Sequence, residues 1–119
     1  MSKLDPAPTA RVEEMPVSRI EFLGEQDGPS ERKLKSHLTA LFQHQGGIHR
    51  AYLARVFHAA SNSVCLCLYA DAPDPGTVGK IGQIFAAMFG APQHLDILFL
   101  DDDQETELAR FCKPFWSMP

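Results

Sequence analysis

Three groups of side chains in this sequence could do chemistry. The first is an acidic run that could hold a hard divalent cation, since such ions prefer clustered oxygen ligands: Asp101, Asp102, Asp103, Glu105 and Glu107. The second is the pair Cys65 and Cys67 with His58, which could bind zinc or supply a reactive thiol. The third consists of the five histidines, His37, His44, His49, His58 and His94.

None of these groups completes a known type of site. The acidic run lacks the glycine and the distal glutamate of an EF-hand loop, and acid at a helix start is already explained by capping and the helix dipole. The cysteines do not have the spacing of a zinc knuckle, and a fourth ligand is missing. The histidines show no tight metal spacing, no serine sits in a nucleophile elbow, and Gly76, Gly79 and Gly82 form no phosphate loop. We therefore expect no metal, no cofactor and no enzymatic activity, and we expect both cysteines to act as small apolar side chains.

Composition limits the class of protein and the partners. The chain has 119 residues, of which 45% are apolar and 22% charged, so it should fold as one domain. The net charge of −4 gives no general attraction for nucleic acid or anionic lipid. The sequence shows no signal peptide and no apolar run long enough to span a membrane, which predicts a cytoplasmic protein. Three cysteines do not make a disulfide framework.

The candidate side chains are positioned by a predicted hairpin from Arg50 to Asp71, with its turn at Ala60 to Ser63. With an even number of loop residues, odd positions of the first arm face even positions of the second. One face then carries Leu53, Arg55, Phe57, Val64, Leu66 and Leu68, and the other carries Tyr52, Ala54, Val56, His58, Cys65, Cys67 and Tyr69.

The rest of the chain predicts further elements around this hairpin. We interpret residues 1–15 as a flexible lead-in and residues 16–119 as a single α+β domain. The predicted elements are a strand at Val17 to Leu23, a helix capped by Ser30 and stopped at Gly46 and Gly47, a helix capped by Asp74 with Pro75 first, a strand at Leu95 to Leu100, and a short helix from Asp101 through Cys112 that Pro114 ends.

This order predicts a ferredoxin-like βαββαβ sandwich. We expect a four-stranded, mostly antiparallel sheet with both principal helices on one face and the first and third strands in the centre. The helices would cover the hairpin residues Leu53, Phe57 and Leu66 together with Ile20, Phe22 and Ile97.

The other sheet face is then the candidate interaction surface, because it is more apolar than a monomer usually leaves in water. It comprises Tyr52, Val56, His58, Cys65, Cys67, Tyr69, Leu98 and Leu100, with Phe115 and Trp116 of the terminal segment. Three alternatives remain open: the terminal segment with Phe111, Phe115 and Trp116 folds over this face, a second copy or another protein covers it, or a small ligand does.

Three stretches carry a resemblance to a known family. They are the run Ile48 to Ala54, the apolar strand that ends at Leu100 with acidic residues after it, and the closing Lys113 to Trp116. Together with the strand from Val17 to Gly24, they resemble the C-terminal domain of the SseB, or enhanced serine sensitivity, protein family. Family members usually carry another domain ahead of this one and end in Pro-Phe-Tyr, whereas this chain has Pro-Phe-Trp.

The resemblance implies a bacterial intracellular protein that is linked by name to serine tolerance, and it carries over no catalytic residue. Two functions follow as hypotheses. The first is a non-enzymatic protein-interaction or regulatory module, expected to be a homodimer through the open sheet face or the tail. The second is a small-molecule sensor that binds an amino acid at a dimer edge or on the sheet face, which rests on analogy between folds. An RNA-binding sheet that uses Tyr52 and Tyr69 is disfavoured by the acidic charge.

Overall fold

The computed structural model describes residues 11–14, 20–58, 60–90 and 93–119. In these ranges the chain forms six strands and three helices: β1 (Arg11–Glu14), β2 (Glu21–Glu25), α1 (Pro29–His44), β3 (Ile48–His58), β4 (Ser61–Ala70), α2 (Pro75–Met88), β5 (His94–Phe99), α3 (Asp102–Leu108) and β6 (Trp116–Ser117). Within the described part of the chain, no helix is both long enough and apolar enough to cross a membrane.

The strands form one mixed sheet in the order β1-β5-β4-β3-β2, and β6 pairs with β3 beside β2. Neighbours β2, β3 and β4 are antiparallel, whereas β5 runs parallel to both β4 and β1. The α+β class is confirmed, but the ferredoxin-like order is not. The two hairpin strands are central, because the connection through α1 returns β3 to lie directly beside β2 instead of leaving a gap for another strand.

Four residues of the predicted lead-in belong to the sheet. Strand β1 pairs in parallel with β5, with Arg11 opposite His94 and Glu14 opposite Ile97. Its short, charged sequence shows no hydrophobic alternation, so the strand depends on its partner and not on a local pattern. The first predicted strand also begins later than expected, at Glu21, and residues 17–19 lie outside the described residues.

The predicted hairpin and its division into two faces are confirmed, but the predicted turn would have placed Leu53 opposite Ala70. Leu53 lies opposite Leu66, and the pairing continues to His58 opposite Ser61. Only two residues therefore separate the strands, and the predicted turn was placed too far along the chain. Ala60 has a φ of +61°, a left-handed conformation that suits a tight hairpin connection.

The helix starts follow from proline. Helix α1 begins at Pro29 after Gly28, and it has no side-chain cap, so the prediction that Ser30 caps this helix was wrong. Proline fits the first helical position because the N–H that it lacks would have no partner there. Helix α2 starts as predicted, with Asp74 accepting a 2.9 Å hydrogen bond from the Gly76 amide.

Both faces of the sheet are covered. Helices α1 and α2 pack on the first face, around a core that includes Leu34, Leu38, Phe42, Leu53, Leu66, Ile81, Phe85 and Ile97. Helix α3 and the turn after it pack on the second face, around a core of Phe22, Tyr52, Ala54, Val56, Cys65, Cys67, Leu98, Leu100, Leu108 and Cys112.

Three side chains expected beneath α1 and α2 lie elsewhere. Phe22 pairs with Val56, so its side chain shares the second face with that residue, and Ile20 packs there too. Phe57 lies at the end of β3 with 42% of its side chain exposed. The sequence alone could not set the face of β2, because its register with β3 depends on a bulge between Phe22 and Gly24.

Candidate functional site

The predicted interaction surface is largely core. Six of its ten residues are buried: Tyr52, Val56, Cys65, Cys67, Leu98 and Leu100. The other four, His58, Tyr69, Phe115 and Trp116, are half-buried. Leu108 of α3 and Cys112 after it pack against this face and are 0% and 3% exposed. Of the alternatives that the sequence left open, the structure therefore shows coverage by the chain itself, although by α3 and Cys112. The three terminal aromatic residues do not supply it, because Phe111 is 51% exposed and Phe115 and Trp116 pack against the first core.

The terminal aromatic residues complete the first core and one sheet edge. The rings of Phe115 and Trp116 each lie 6.4 Å from the ring of Phe42 in α1. Strand β6 pairs with the start of β3, and the Trp116 indole donates a 3.3 Å hydrogen bond to the Ile48 carbonyl. The closing run that carries the family resemblance thus has a clear structural role.

The cysteines have no sign of reactivity. Cys65, Cys67 and Cys112 are free thiols, and all three are buried. The neighbouring Cys65 and burial raise the pKa of the Cys67 thiol, and burial raises the pKa of Cys112 to about 11. Since only the thiolate is a nucleophile or metal ligand, the raised pKa values disfavour the reactive form of Cys67 and Cys112.

The acidic run is accounted for by helix capping at its start. The Asp101 carboxylate accepts a 2.7 Å hydrogen bond from the Gln104 amide, while the Gln104 side chain accepts a 2.9 Å bond from the Asp101 amide. This is a capping box at the start of α3. Within the described residues, no group of three or more His, Cys, Asp or Glu side chains is arranged to hold a metal ion.

A different polar cluster joins α3 to β3. The Arg50 guanidinium bonds the Glu105 carboxylate through both Nε and Nη2, the latter at 2.8 Å, which is a bidentate pair. The Tyr52 hydroxyl donates to the same carboxylate at 2.9 Å. The Glu105 side chain is 12% exposed and that of Arg50 is 41% exposed, so the pair lies at the boundary between core and solvent.

The outer side of this cluster forms a polar cleft. Arg50 lies over the Tyr69 ring, 4.9 Å from its centre, and the Tyr69 hydroxyl donates to Asp102. The His49 imidazole lies 2.5 Å from the Asp71 carboxylate. We call this space the Arg50 cleft; its volume is about 430 Å³ and it is lined by His49, Arg50, Tyr69, Ala70, Asp71, Leu100 and Asp102.

The electrostatics fix the charges in the cleft. The hydrogen bonds from Arg50 lower the pKa of Glu105, and Glu105 in turn raises the pKa of Arg50, so both stay charged at neutral pH. Burial raises the pKa of Tyr52 to about 12, and Asp102 raises that of Tyr69, which keeps both phenols neutral. Among the described residues that line the cleft, none is Ser, Thr or Cys. The arrangement can therefore bind charged groups of either sign.

Sequence reasoning missed this cleft as a unit. Its lining comes from the start of β3, the end of β4 and the region where α3 begins, which lie far apart in the chain. Two of the stretches that carry the resemblance, Ile48 to Ala54 and the acidic run after Leu100, meet here, and the third pairs with Ala51 through Trp116. That convergence was the available signal.

The fold and the cleft define a small α+β domain with a mixed sheet and a charged cleft where α3 meets the sheet. A family model described as the SseB protein C-terminal domain matches residues 23–117. The chain belongs to this family, which confirms the resemblance. Searches of curated proteins and of solved structures find no match to it.

Proposed function

We propose that the protein is a non-enzymatic regulatory module that binds a small zwitterion, such as a free amino acid, in the Arg50 cleft. The observation that supports this proposal is a cleft whose walls present one cation and two carboxylates, each oriented by a neighbouring side chain. The family name links the protein to serine tolerance, so L-serine is the first ligand to test. A bacterial cytoplasmic location is part of the proposal.

The geometry fits a ligand with both charges. The guanidinium of Arg50 uses Nε and Nη2 for Glu105, so Nη1 forms the edge that a ligand carboxylate would approach. The carboxylates of Asp71 and Asp102 also line the cleft and would accept a ligand ammonium. A volume of about 430 Å³ exceeds what one amino acid needs, and bound water would fill the remainder.

Binding without catalysis is the better proposal for this cleft. The pair of His49 and Asp71 resembles the base and orienting carboxylate of a hydrolase. Such a pair activates a Ser, Thr or Cys side chain within hydrogen-bond reach, and none of these three types is among the described residues that line the cleft. In this proposal His49 therefore serves to orient the Asp71 carboxylate for binding.

Thermal denaturation tests the proposal. Each proteinogenic amino acid, beginning with L-serine, is added at about 10 mM, and acetate and methylammonium serve as ligands with only one charge. At least one amino acid should raise the melting temperature, whereas neither single ion should. The Asp102→Asn variant should lose this response, and Asp103→Asn, a neighbour on α3 that does not line the cleft, should keep it. If no amino acid raises the melting temperature of the natural protein, the proposal fails.

A second candidate function is the protein-interaction module, which could act as a homodimer. The sheet face is no longer its support, because the chain covers it. The specific observation in its favour is Phe111, a large aromatic side chain that is 51% exposed just after α3. Native mass spectrometry should then show a dimer that Phe111→Ser dissociates, while Phe57→Ser, a change at another exposed phenylalanine, should leave it intact. A monomer would exclude the homodimer.

A further inference from the structure

Helix α3 depends on the sheet for its existence. It has seven residues, and isolated helices of this length are not stable in water. Its apolar attachment consists of Leu108 and, just beyond the helix, Cys112, whose thiol donates a 3.7 Å bond to the Leu53 carbonyl. If α3 leaves the sheet it must therefore also unfold, which makes it a small cooperative unit.

Polar contacts hold the other side of this unit. Glu105 accepts bonds from Arg50 and Tyr52, and Asp102 accepts one from Tyr69. All three donors are in the central strands β3 and β4, so these bonds attach α3 directly to the most stable part of the sheet. They coincide with the Arg50 cleft, since Arg50, Tyr69 and Asp102 also line it.

The surface beneath α3 is apolar and contains thiols. The second core includes Tyr52, Cys67, Leu98 and Leu100, all of which are at most 7% exposed while α3 is in place. Loss of the helix would uncover this face, and Cys67 and Cys112 would become accessible to a thiol reagent. The rate at which these two thiols are labelled therefore reports whether α3 is in place on the sheet.

We infer that α3 is a cover over the second sheet face, and that occupation of the Arg50 cleft holds this cover closed. The inference rests on the proposed function, because it names how binding in that cleft would be transmitted. The ligand would connect α3 to the sheet, because its carboxylate would contact Arg50 on β3 and its ammonium would contact Asp102 on α3. Such a ligand binds only the closed state, so it shifts the population toward that state.

Thiol labelling under native conditions tests the inference. The natural protein is mixed with dithiobisnitrobenzoate, and labelled cysteines are located by peptide mass spectrometry. Glu105→Gln weakens the attachment of α3, and labelling of Cys67 and Cys112 should become about ten- to a hundredfold faster, the equivalent of one lost charged hydrogen bond. Glu107→Gln, a change at an exposed position of the same helix, should label like the natural protein.

A second control separates opening of α3 from global unfolding. Leu34→Val destabilises the first core, which α3 does not touch. If labelling requires global unfolding, this variant should label as fast as a Glu105→Gln protein of equal melting temperature, and the inference is overturned. If Glu105→Gln does not fold, Tyr52→Phe removes one bond to the same carboxylate, retains the ring and should give a smaller acceleration of the same kind.

The ligand arm distinguishes failure of the inference from failure of the proposed function. An amino acid that raises the melting temperature should slow the labelling of Cys67 and Cys112 in the natural protein. If it raises the melting temperature and leaves the labelling rate unchanged, the cover inference falls while the binding function stands. If no amino acid binds and Glu105→Gln still labels faster than its matched control, the opening of α3 is supported and the proposed function falls.

Discussion

The bidentate pair of Arg50 and Glu105 should contribute measurably to stability, unlike most ion pairs on a protein surface. In Glu105→Gln the side chain keeps its shape but loses its charge. Its NH₂ group then points at one of the two Arg50 N–H donors, so one of the two hydrogen bonds is lost. The Tyr52 hydroxyl also loses a charged acceptor. We expect this substitution to lower the free energy of unfolding.

The expected size follows from exposure. Exposed pairs contribute about 0–1 kcal/mol, whereas removing one partner of a fully buried pair costs about 3–5 kcal/mol. Here Glu105 is 12% exposed and Arg50 is 41% exposed, so the cost should lie between these limits, at about 1–3 kcal/mol. For a domain of this size, each 1 kcal/mol corresponds to a fall of about 3–6 °C in melting temperature.

A double-mutant cycle in urea isolates the pair from other effects. The variants are Glu105→Gln, Arg50→Met and the double substitution, and the coupling energy should be about 1–2 kcal/mol. The chain offers a matched control in Arg32 and Asp27, which are 3.3 Å apart but 62% and 47% exposed. The cycle of Arg32→Met and Asp27→Asn should give a coupling of less than about 0.5 kcal/mol.

Equal coupling energies for the two pairs would refute this reasoning. That outcome would mean that burial of Glu105 against the sheet adds nothing to its attraction for Arg50. A coupling near zero for Arg50 and Glu105, with both single variants strongly destabilised, would instead attribute the loss to packing of the side chains.

Three further predictions follow from the described contacts. Because Arg50 lowers the pKa of Glu105 below its ordinary 4.5, the stabilisation by this carboxylate is complete above pH 4.5 and is lost as the pH falls through the lowered pKa. Urea unfolding should therefore show the difference in stability between the natural protein and Glu105→Gln closing over that range. A difference that stays constant would contradict this prediction. Tyr52 should ionise only near pH 12, and the stability of the protein should fall as the pH rises from 10.0 toward that value. The phenolate absorbance of the Tyr69→Phe variant measures the ionisation of Tyr52, and ionisation near pH 10 would contradict the prediction. Leu108→Ala should cost about 2–4 kcal/mol in chemical denaturation, because the side chain is fully buried, and a loss below about 1 kcal/mol would show that α3 contributes little.

The local features of the fold were predictable because local patterns determine them. The alternation along both arms predicted which hairpin residues share a face, as Leu53 and Leu66 do, and Asp74 followed by proline predicted the start of α2. The strand order was not predictable in this way. It depends on which edges pair over long separations, and a connection through a helix is compatible with several orders.

The cleft and the cover of the second face could not be predicted for the same reason. Both depend on where α3 lies, and its sequence predicts a capped helix without saying which face it covers. The apolar second face was correctly identified as a surface that needs a cover. The side chains that supply the cover, Leu108 and Cys112, are too few to form a recognisable apolar stripe.

The outer edge of β3 is shared between the two ends of the domain. Strand β2 pairs with its second half, from Ala54 to Phe57, and β6 pairs with Arg50 and Ala51 near its start. The Met118 amide then donates a 2.8 Å bond to the His49 carbonyl, so the edge is complete only when that residue is in place. During synthesis, the hairpin and both large helices have emerged while the start of this edge still lacks a partner. A nascent chain therefore exposes unpaired strand edge beside the Arg50 cleft until the segment through Met118 has emerged, and an edge of this kind can pair with other chains during that interval.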